Sequence, residues 1–233
     1  PGLVQKLGGA MSDQTVLYIF DAVDWNSRIP VALEARDRGK NIVIGLIGNS
    51  NKIKDTYGFD IRSLTRPVFS PRSLSPLQTV KEKRNLIKEI KPDIMHVVPL
   101  KYGFLAGLAA QGLGNFKKIY TLAGLGYLFR SDTASSTFLR CSISPILSHI
   151  LTKPCTSLIF QNSDDRELMI QKGYALEERS HLILGSGVHI DQFTSIPEAE
   201  EKEPIVLMPT RLVHDKCIKI FIEAARHLKK QGV

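Results

Sequence analysis

Residues 15–47 read TVLYIFDAVDWNSRIPVALEARDRGKNIVIGLI, and the order of textures in that stretch decides the fold. TVLYIF is a short, almost wholly apolar run, as a strand buried on both faces of a sheet should be. From Ile29 to Arg38 the apolar positions fall at helical spacing, and Gly39 is placed where a helix ends. NIVIGLI at 41–47 then repeats the buried-strand texture. A helix between two such strands implies a crossover, which only a parallel pair needs.

The same alternation runs on down the chain. A polar, turn-rich stretch, GNSNKIKDTYG at 48–58, follows the second strand. LSPLQTVKEKRNLIKEIKPD predicts a helix with Leu77, Val80, Ile87 and Ile90 turned inward, closed by Pro92, and DIMHVV is the next strand. A helix is expected from about Tyr102 to Gln111, a strand at 118–122, and a helical or partly irregular region from Ser136 to Thr152 interrupted by Pro145. SLIFQNSDDRELMIQKG reads as strand, turn and helix, with Ser163 as the N-cap and Asp164 and Asp165 at the positive end of the helix dipole. HLILGSGV supplies a further strand. The fold class expected is α/β: a Rossmann-like parallel sheet of roughly seven strands covered by helices, spanning 11–185.

From 186 to 204 the composition turns polar and acidic, and EAEEKEP reads as a solvated connector. Residues 205–233 begin something new: a strand, IVLM, and a helix with Ile218, Phe221, Ile222, Ala225 and Leu228 on one stripe, opposite Lys219, Glu223, Arg226 and Lys230. A single strand–helix unit cannot cover its own edges, so it needs other protein against it. PGLVQKLGGA at 1–10 is read as an upstream or vector-derived segment, because MSDQTVLYIF from Met11 runs straight into the first strand.

Composition narrows the partners. In 233 residues, 43% hydrophobic and 23% charged, Lys and Arg number 31 against 23 Asp and Glu, for a net charge of +8. That suits an anionic ligand or surface. The basic residues are spread along the chain with no interleaved aromatics, so nucleic acid is not expected as a partner. Three cysteines, Cys141, Cys155 and Cys217, lack metal or redox spacing, and are read as core-filling thiols of a reducing compartment, with no metal site. No apolar run reaches the roughly 18 residues of a membrane span, and no signal peptide is evident, so a cytoplasmic location is expected. The helix carrying Lys81, Lys83, Arg84 and Lys88, with FLRCSISPILSHIL, is open to two readings: peripheral contact with anionic lipid, or a solvated face beside a buried helix.

The chemistry-bearing stretch is PTRLVHDKCIKIF at 209–221. Arg211 just past a strand and Lys216 at the start of a helix form a pocket for a diphosphate at the carboxyl end of a sheet, where helix N–H groups add partial positive charge. The other reading is a pair of surface cations.

LGSGVHIDQF, the acidic connector and VLMPTRLVHDKCIKIFIEAARHLK together resemble the interdomain stretch of family-four glycosyltransferases of the GT-B fold, in which G-V-D-x-x-x-F precedes R-L-x-x-x-K-G. Upstream, DAVDWNSRIPVALEARDRG, DIMHVVPLKYGFLAGLAA, TLAGLGYLF and IFQNSDDREL are similar to acceptor-side segments of bacterial surface-polysaccharide transferases. The resemblance implies retaining transfer of a sugar from a nucleoside-diphosphate donor to a lipid-linked, lipopolysaccharide or other polysaccharide acceptor, with no cofactor and no bound metal. It implies that Arg211 and Lys216 bind the donor diphosphate. It also implies that the family's N-terminal domain is followed here by only the start of the nucleotide-sugar domain. The chain is therefore expected to be truncated early in that domain and inactive alone, the alternative being a non-catalytic module that binds acceptor or a partner chain.

On the acceptor side the resemblance points to Asp24, Trp25, Asn26 and Arg28 in the loop after the first strand, and to Gly124 and Gly126 in AGLGYLF. Trp25 has two readings, stacking on a sugar or stapling a helix start. The two glycines serve either close approach to ligand or a tight turn. His96 is similar to the first His of the family's H-x-H pattern, as a sugar contact, although a buried histidine bonded to a backbone group is the preferred reading. No second histidine follows Thr121, where Leu122 and Ala123 stand, and no general base is assigned. His189 replaces the Asp of G-V-D, and Cys217 the Gly after the lysine.

Overall fold

The computed structural model describes residues 14–48, 57–67, 75–125, 134–185, 187, 205–210, 212 and 216–232, with side chains of the helix that starts at 134 described from 141 onward. The chain separates into two compact units, Pro1–Val188 and His189–Val233.

The first unit is a seven-stranded sheet, β1 (Thr15–Asp21), β2 (Asn41–Ile47), β3 (Asp60–Leu64), β4 (Ile94–Val97), β5 (Lys117–Leu122), β6 (Thr156–Phe160) and β7 (Ser180–Leu182). The order is β3-β2-β1-β4-β5-β6-β7, and every pairing is parallel. Its helices are α1 (Trp25–Asp37), α2 (Ser75–Ile90), α3 (Leu100–Ala109), α4 (Ala134–Leu151) and α5 (Ser163–Gln171). The chain lays strands outward from β1 to β3, returns to β4 on the other side of β1, and then works outward again. β1 and β4 are therefore the topological switch point, where such sheets open a crevice at the carboxyl ends of their strands.

The period-two geometry of β1 builds two core layers. Leu17 and Ile19 face one side, joining Met95, Val97, Leu86, Tyr102, Ala106 and Ile150 beneath α2, α3 and α4. Tyr18 and Phe20 face the other, with Ile29 and Ala32 of α1, Ile42, Ile44, Leu46 and Val98. Each fully buried aliphatic side chain contributes roughly 1.5–3 kcal/mol by transfer from water.

Local chemistry moves several boundaries away from the sequence expectation. The first helix begins at Trp25, four residues before Ile29, because Asp21 organises a tight 3-10 turn at Ala22–Asp24 that leads directly into it. Its end is where the glycine places it. Gly39 adopts φ +76°, and the N–H groups of Gly39 and Lys40 donate to the carbonyls of Arg36 and Ala35 at 2.8 and 3.0 Å, a paired closure of the last turn. The N-cap of α5 is Asn162, not Ser163, and its side chain accepts from the Asp165 N–H at 2.7 Å. α4 runs through Pro145 without interruption.

The edge strand β3, DIRSL, escapes an apolar-run reading because three of its five residues are polar. On α2, Leu77 is 69% exposed, while Thr79 and Lys83 are buried beside Leu86 and Ile87. Ile87 is buried and Val80 and Ile90 pack against the core as expected, so of the four residues expected inward only Leu77 turns outward, and Lys83 leaves the basic surface on which lipid contact was considered. Arg84 leaves it too, donating to the carbonyls of Ala109 and Gln111 at 2.9 and 2.7 Å. All three cysteines are exposed rather than core-filling.

In the second unit, residues 205–210 form no strand. The helix α6 (Ile218–Lys230) carries the expected stripe, with Ile222 and Leu228 exposed within that unit.

Candidate functional site

The carboxyl ends of β1 and β4 are held by a carboxylate, a phenol and a guanidinium. β1 ends in Asp21, which is only 5% exposed. One of its oxygens accepts from Arg66 Nη2 at 2.6 Å and from the Val23 N–H at 3.2 Å, while the other accepts the Tyr102 hydroxyl at 2.6 Å. Tyr102 stands in the first turn of α3, just beyond β4, so the bond ties the exits of the two strands together. Burial first, and then the carboxylate it serves, push the Tyr102 phenol far above its ordinary range, and it remains a donor.

Arg66 reaches in from beyond β3. Its guanidinium lies over Gly48, at φ +105°, where a Cβ would come within 3.0 Å of Nη2. Only glycine meets both the backbone and the space requirement there. The Arg66 side chain is 52% exposed, so it presents the rest of its donor fork outward while Asp21 anchors one nitrogen.

Three residues back along β1 from Asp21, Tyr18 lies opposite His96 in β4, and their rings stack at 4.7 Å with an interplanar angle of 20°. His96 Nε2 shares a 2.7 Å hydrogen bond with the Thr121 hydroxyl of β5, so its partner is a side chain and not the backbone group expected. Burial and, to a smaller degree, the positive charge of Arg28 push the imidazole down to about 4, so the ring is neutral at pH 7. Burial likewise raises the Tyr18 phenol to about 12, with Arg28 opposing and Asp24 assisting. Asp24, Arg28, Tyr18 and His96 thus share one electrostatic neighbourhood beside the switch point.

The structure therefore gathers some of the expected residues and not others. Asp24 lies in the turn after β1, but Trp25, Asn26 and Arg28 lie on α1 and not in a loop. Trp25 packs against Phe20, ring centroids 6.2 Å apart, as a staple at the helix start does, while Asn26 is exposed and Arg28 is buried. Gly124 follows β5 at φ +137° with open space where a Cβ would be, and Gly126 lies outside the described residues.

In the second unit Lys216 is exposed just before α6, and Arg211 lies outside the described residues, as does His189. Between Lys216 and the helix, Cys217 occupies the left-handed region at φ +53°. That conformation gives a physical reason for a glycine after the lysine. Among the described residues no three His, Cys, Asp or Glu side chains gather as a metal site requires.

Sequence reasoning missed Asp21, Arg66, Tyr102 and Thr121. The first closes an apolar strand as a lone acid, and that is a faint signal. Nothing in the sequence ties it to an arginine and a tyrosine 45 and 81 positions away.

Comparison with known proteins accords with this geometry. The profile of the Glycosyl transferase 4-like family matches residues 15–162, from β1 to the cap of α5. Among solved structures, the chain resembles HepE of Anabaena, crystallised with UDP and glucose, at TM-score 0.55 and 18% identity over 79% of this chain and 47% of that one. It also resembles a glycosyltransferase of Rickettsia africae, at TM-score 0.50 and 18% identity over 74% and 43%. The chain thus spans less than half the length of either structure, and at such identity the likeness speaks for the fold alone. No curated protein matches it significantly. With more than half of its length matched, the chain belongs to the glycosyl transferase 4-like family, and its seven-stranded Rossmann-like sheet is that of the GT-B glycosyltransferases.

Proposed function

We propose that the chain acts in retaining transfer of a hexosyl unit from a nucleoside-diphosphate sugar to a hydroxyl of a lipid-linked or polysaccharide acceptor, in bacterial cell-surface glycan synthesis. The observation that carries this reading is the family match, which falls on the strands and helices that build the β1/β4 switch point. The UDP and glucose bound to HepE support a nucleotide-sugar donor.

The physical chemistry is consistent. As the glycosidic bond loosens, negative charge grows on the leaving diphosphate, and fixed cations stabilise that state more than the ground state. Arg211 and Lys216 are assigned this task, the first as a two-pronged grip and the second as a point charge just before α6. No metal is needed where cations already meet the charge. Removing either residue should cost on the order of 3 kcal/mol of transition-state stabilisation.

In the first unit, Asp24, Trp25, Asn26, Arg28, Gly124 and Gly126 are assigned to acceptor binding. His96, neutral at pH 7, serves as a hydrogen-bonding group rather than an acid. No described helix is long and apolar enough to cross a membrane. We place the protein in the cytoplasm, peripheral to the inner face of the membrane that carries a lipid-linked acceptor.

Titration calorimetry with UDP, GDP and ADP tests the proposal. One nucleotide should bind saturably, and Arg211→Ala or Lys216→Ala should weaken it by about tenfold or more. Binding unchanged in both variants would remove the donor assignment, and uptake of no nucleotide would favour a non-catalytic module.

A further inference from the structure

At the sheet edge remote from the switch point, the chain forms a second concave site. The turn after α3, the start of β5 and the turn between α4 and β6 enclose a cavity of about 560 Å³. That lies within the roughly 300–1,000 Å³ of small-ligand sites. Its polar lining is Gln111, Asn115, Lys118, His149, Thr152 and Lys153, and none of the residues lining it is acidic.

Two helices end at this edge, and the carbonyls at their ends would by themselves repel an anion. They are already served by other residues. Arg84 donates to Ala109 and Gln111, as described above, and Arg179 donates to the carbonyls of Lys153 and Thr152 at 2.5 and 3.0 Å. The lysines of the cavity are therefore not consumed in capping the helix ends. Lys153 Nζ is steadied by Gln111 Oε1, whose amide nitrogen in turn donates to the Gly107 carbonyl at 2.9 Å. Lys118 Nζ rests 4.3 Å from the Phe116 ring centroid and donates to the Phe116 carbonyl at 3.1 Å.

Burial pushes the Lys118 ammonium down, and Lys153 adds a smaller push of the same sign against the opposing effect of Cys155. Two like charges close enough to oppose one another, with a histidine beside them and no carboxylate in the lining, are relieved by an anion placed among them.

We propose that this cavity binds a small organic phosphate of sugar-phosphate size, with Lys118, Lys153 and His149 around the phosphate and Asn115 and Thr152 meeting the hydroxyls of the remainder. The volume exceeds what a bare phosphate fills, and the neutral amide and hydroxyl groups suit a hydroxylated body. The site lies at the amino ends of β5 and β6, on the opposite edge from the family's acceptor side, so its occupant is an accessory ligand and not the sugar acceptor.

Amide NMR of the full 233-residue chain tests the assignment, because Gly112 and Gly114 line the cavity and glycine amides resolve well. Glucose 6-phosphate should shift both signals saturably, inorganic phosphate more weakly, and glucose not at all. Lys118→Met and Lys153→Met should each weaken the glucose 6-phosphate response about tenfold. His149→Gln, at an exposed side chain, should weaken it with the fold untouched, while Lys216→Ala should leave it unchanged. No saturable shift, an equal response to glucose, or a response indifferent to Lys118, Lys153 and His149 would overturn the proposal. So would co-sedimentation with phosphatidylglycerol vesicles that the same three substitutions abolish, because the cations would then serve a membrane surface.

Discussion

At His96, burial and, to a smaller degree, the nearby charge of Arg28 remove the ring's usual titration from the neutral range. The linkage has a definite sign. In the unfolded chain the imidazole titrates near 6.5, and in the folded chain near 4, so between those values the unfolded state binds more protons. Stability contributed by the neutral ring is complete above 6.5 and is lost as the pH falls towards 4, at a slope approaching 1.4 kcal/mol per pH unit. Urea midpoints measured from pH 7 to pH 4.5 should fall more steeply for the wild type than for His96→Gln. The Asp21 network offers a second residue-level test. Tyr102→Phe strips a donor from a buried carboxylate and should cost about 1–3 kcal/mol in urea unfolding, with no change in pH dependence near neutrality. Cys217 stands where a side chain is strained. Cys217→Gly should stabilise α6 by about 1 kcal/mol, read as increased helical circular dichroism on heating.

Among the elements, α2 carries a lysine on its inward face. Lys83 is 0% exposed, and its amine has no hydrogen-bond partner among the described residues. Burial lowers it below its usual 10.5, partly countered by Glu82. Between the folded value and 10.5 the unfolded chain binds more protons, so stability rises as the pH rises through that window. Lys83→Met keeps the packing stem and removes the buried amine. It should raise the urea midpoint at pH 7, by about 1–3 kcal/mol in free energy, and flatten the rise at alkaline pH.

The same helix shows why register is harder to read than identity. A 3.6-residue pattern rich in lysine admits two neighbouring faces, and the packing of α2 on α3 and on the sheet decides that Lys83 and not Leu77 turns inward. β3 shows the converse limit. An edge strand covered on few sides needs little hydrophobicity, so DIRSL carries no signal except its place between a turn and a helix. α4 passing through Pro145 shows tertiary burial of Leu147, Ile150 and Leu151 outweighing a local breaker.

For the whole molecule, the alternation of buried strands and helices sufficed to give the class of fold, because parallel strands leave few other topologies. The switch point follows from strand order, and strand order is not written in any local stretch. That is why Asp24 and Arg28 could be singled out beside β1 in the sequence, while the Asp21–Arg66–Tyr102 bridge, assembled from the end of β1, the stretch after β3 and the first turn of α3, could not. The second unit contributed its motif instead. Cys217 stands in the left-handed region at the position where the resemblance expects a glycine after the lysine.

The central claim is that Arg211 and Lys216 hold the diphosphate of a nucleotide sugar. Phosphorus-31 NMR of UDP titrated with the chain tests it directly. Both phosphorus signals should shift and broaden with the wild type and return towards their free positions with Lys216→Ala or Arg211→Ala. Phosphorus signals that do not move, or that move equally in all three proteins, would contradict it.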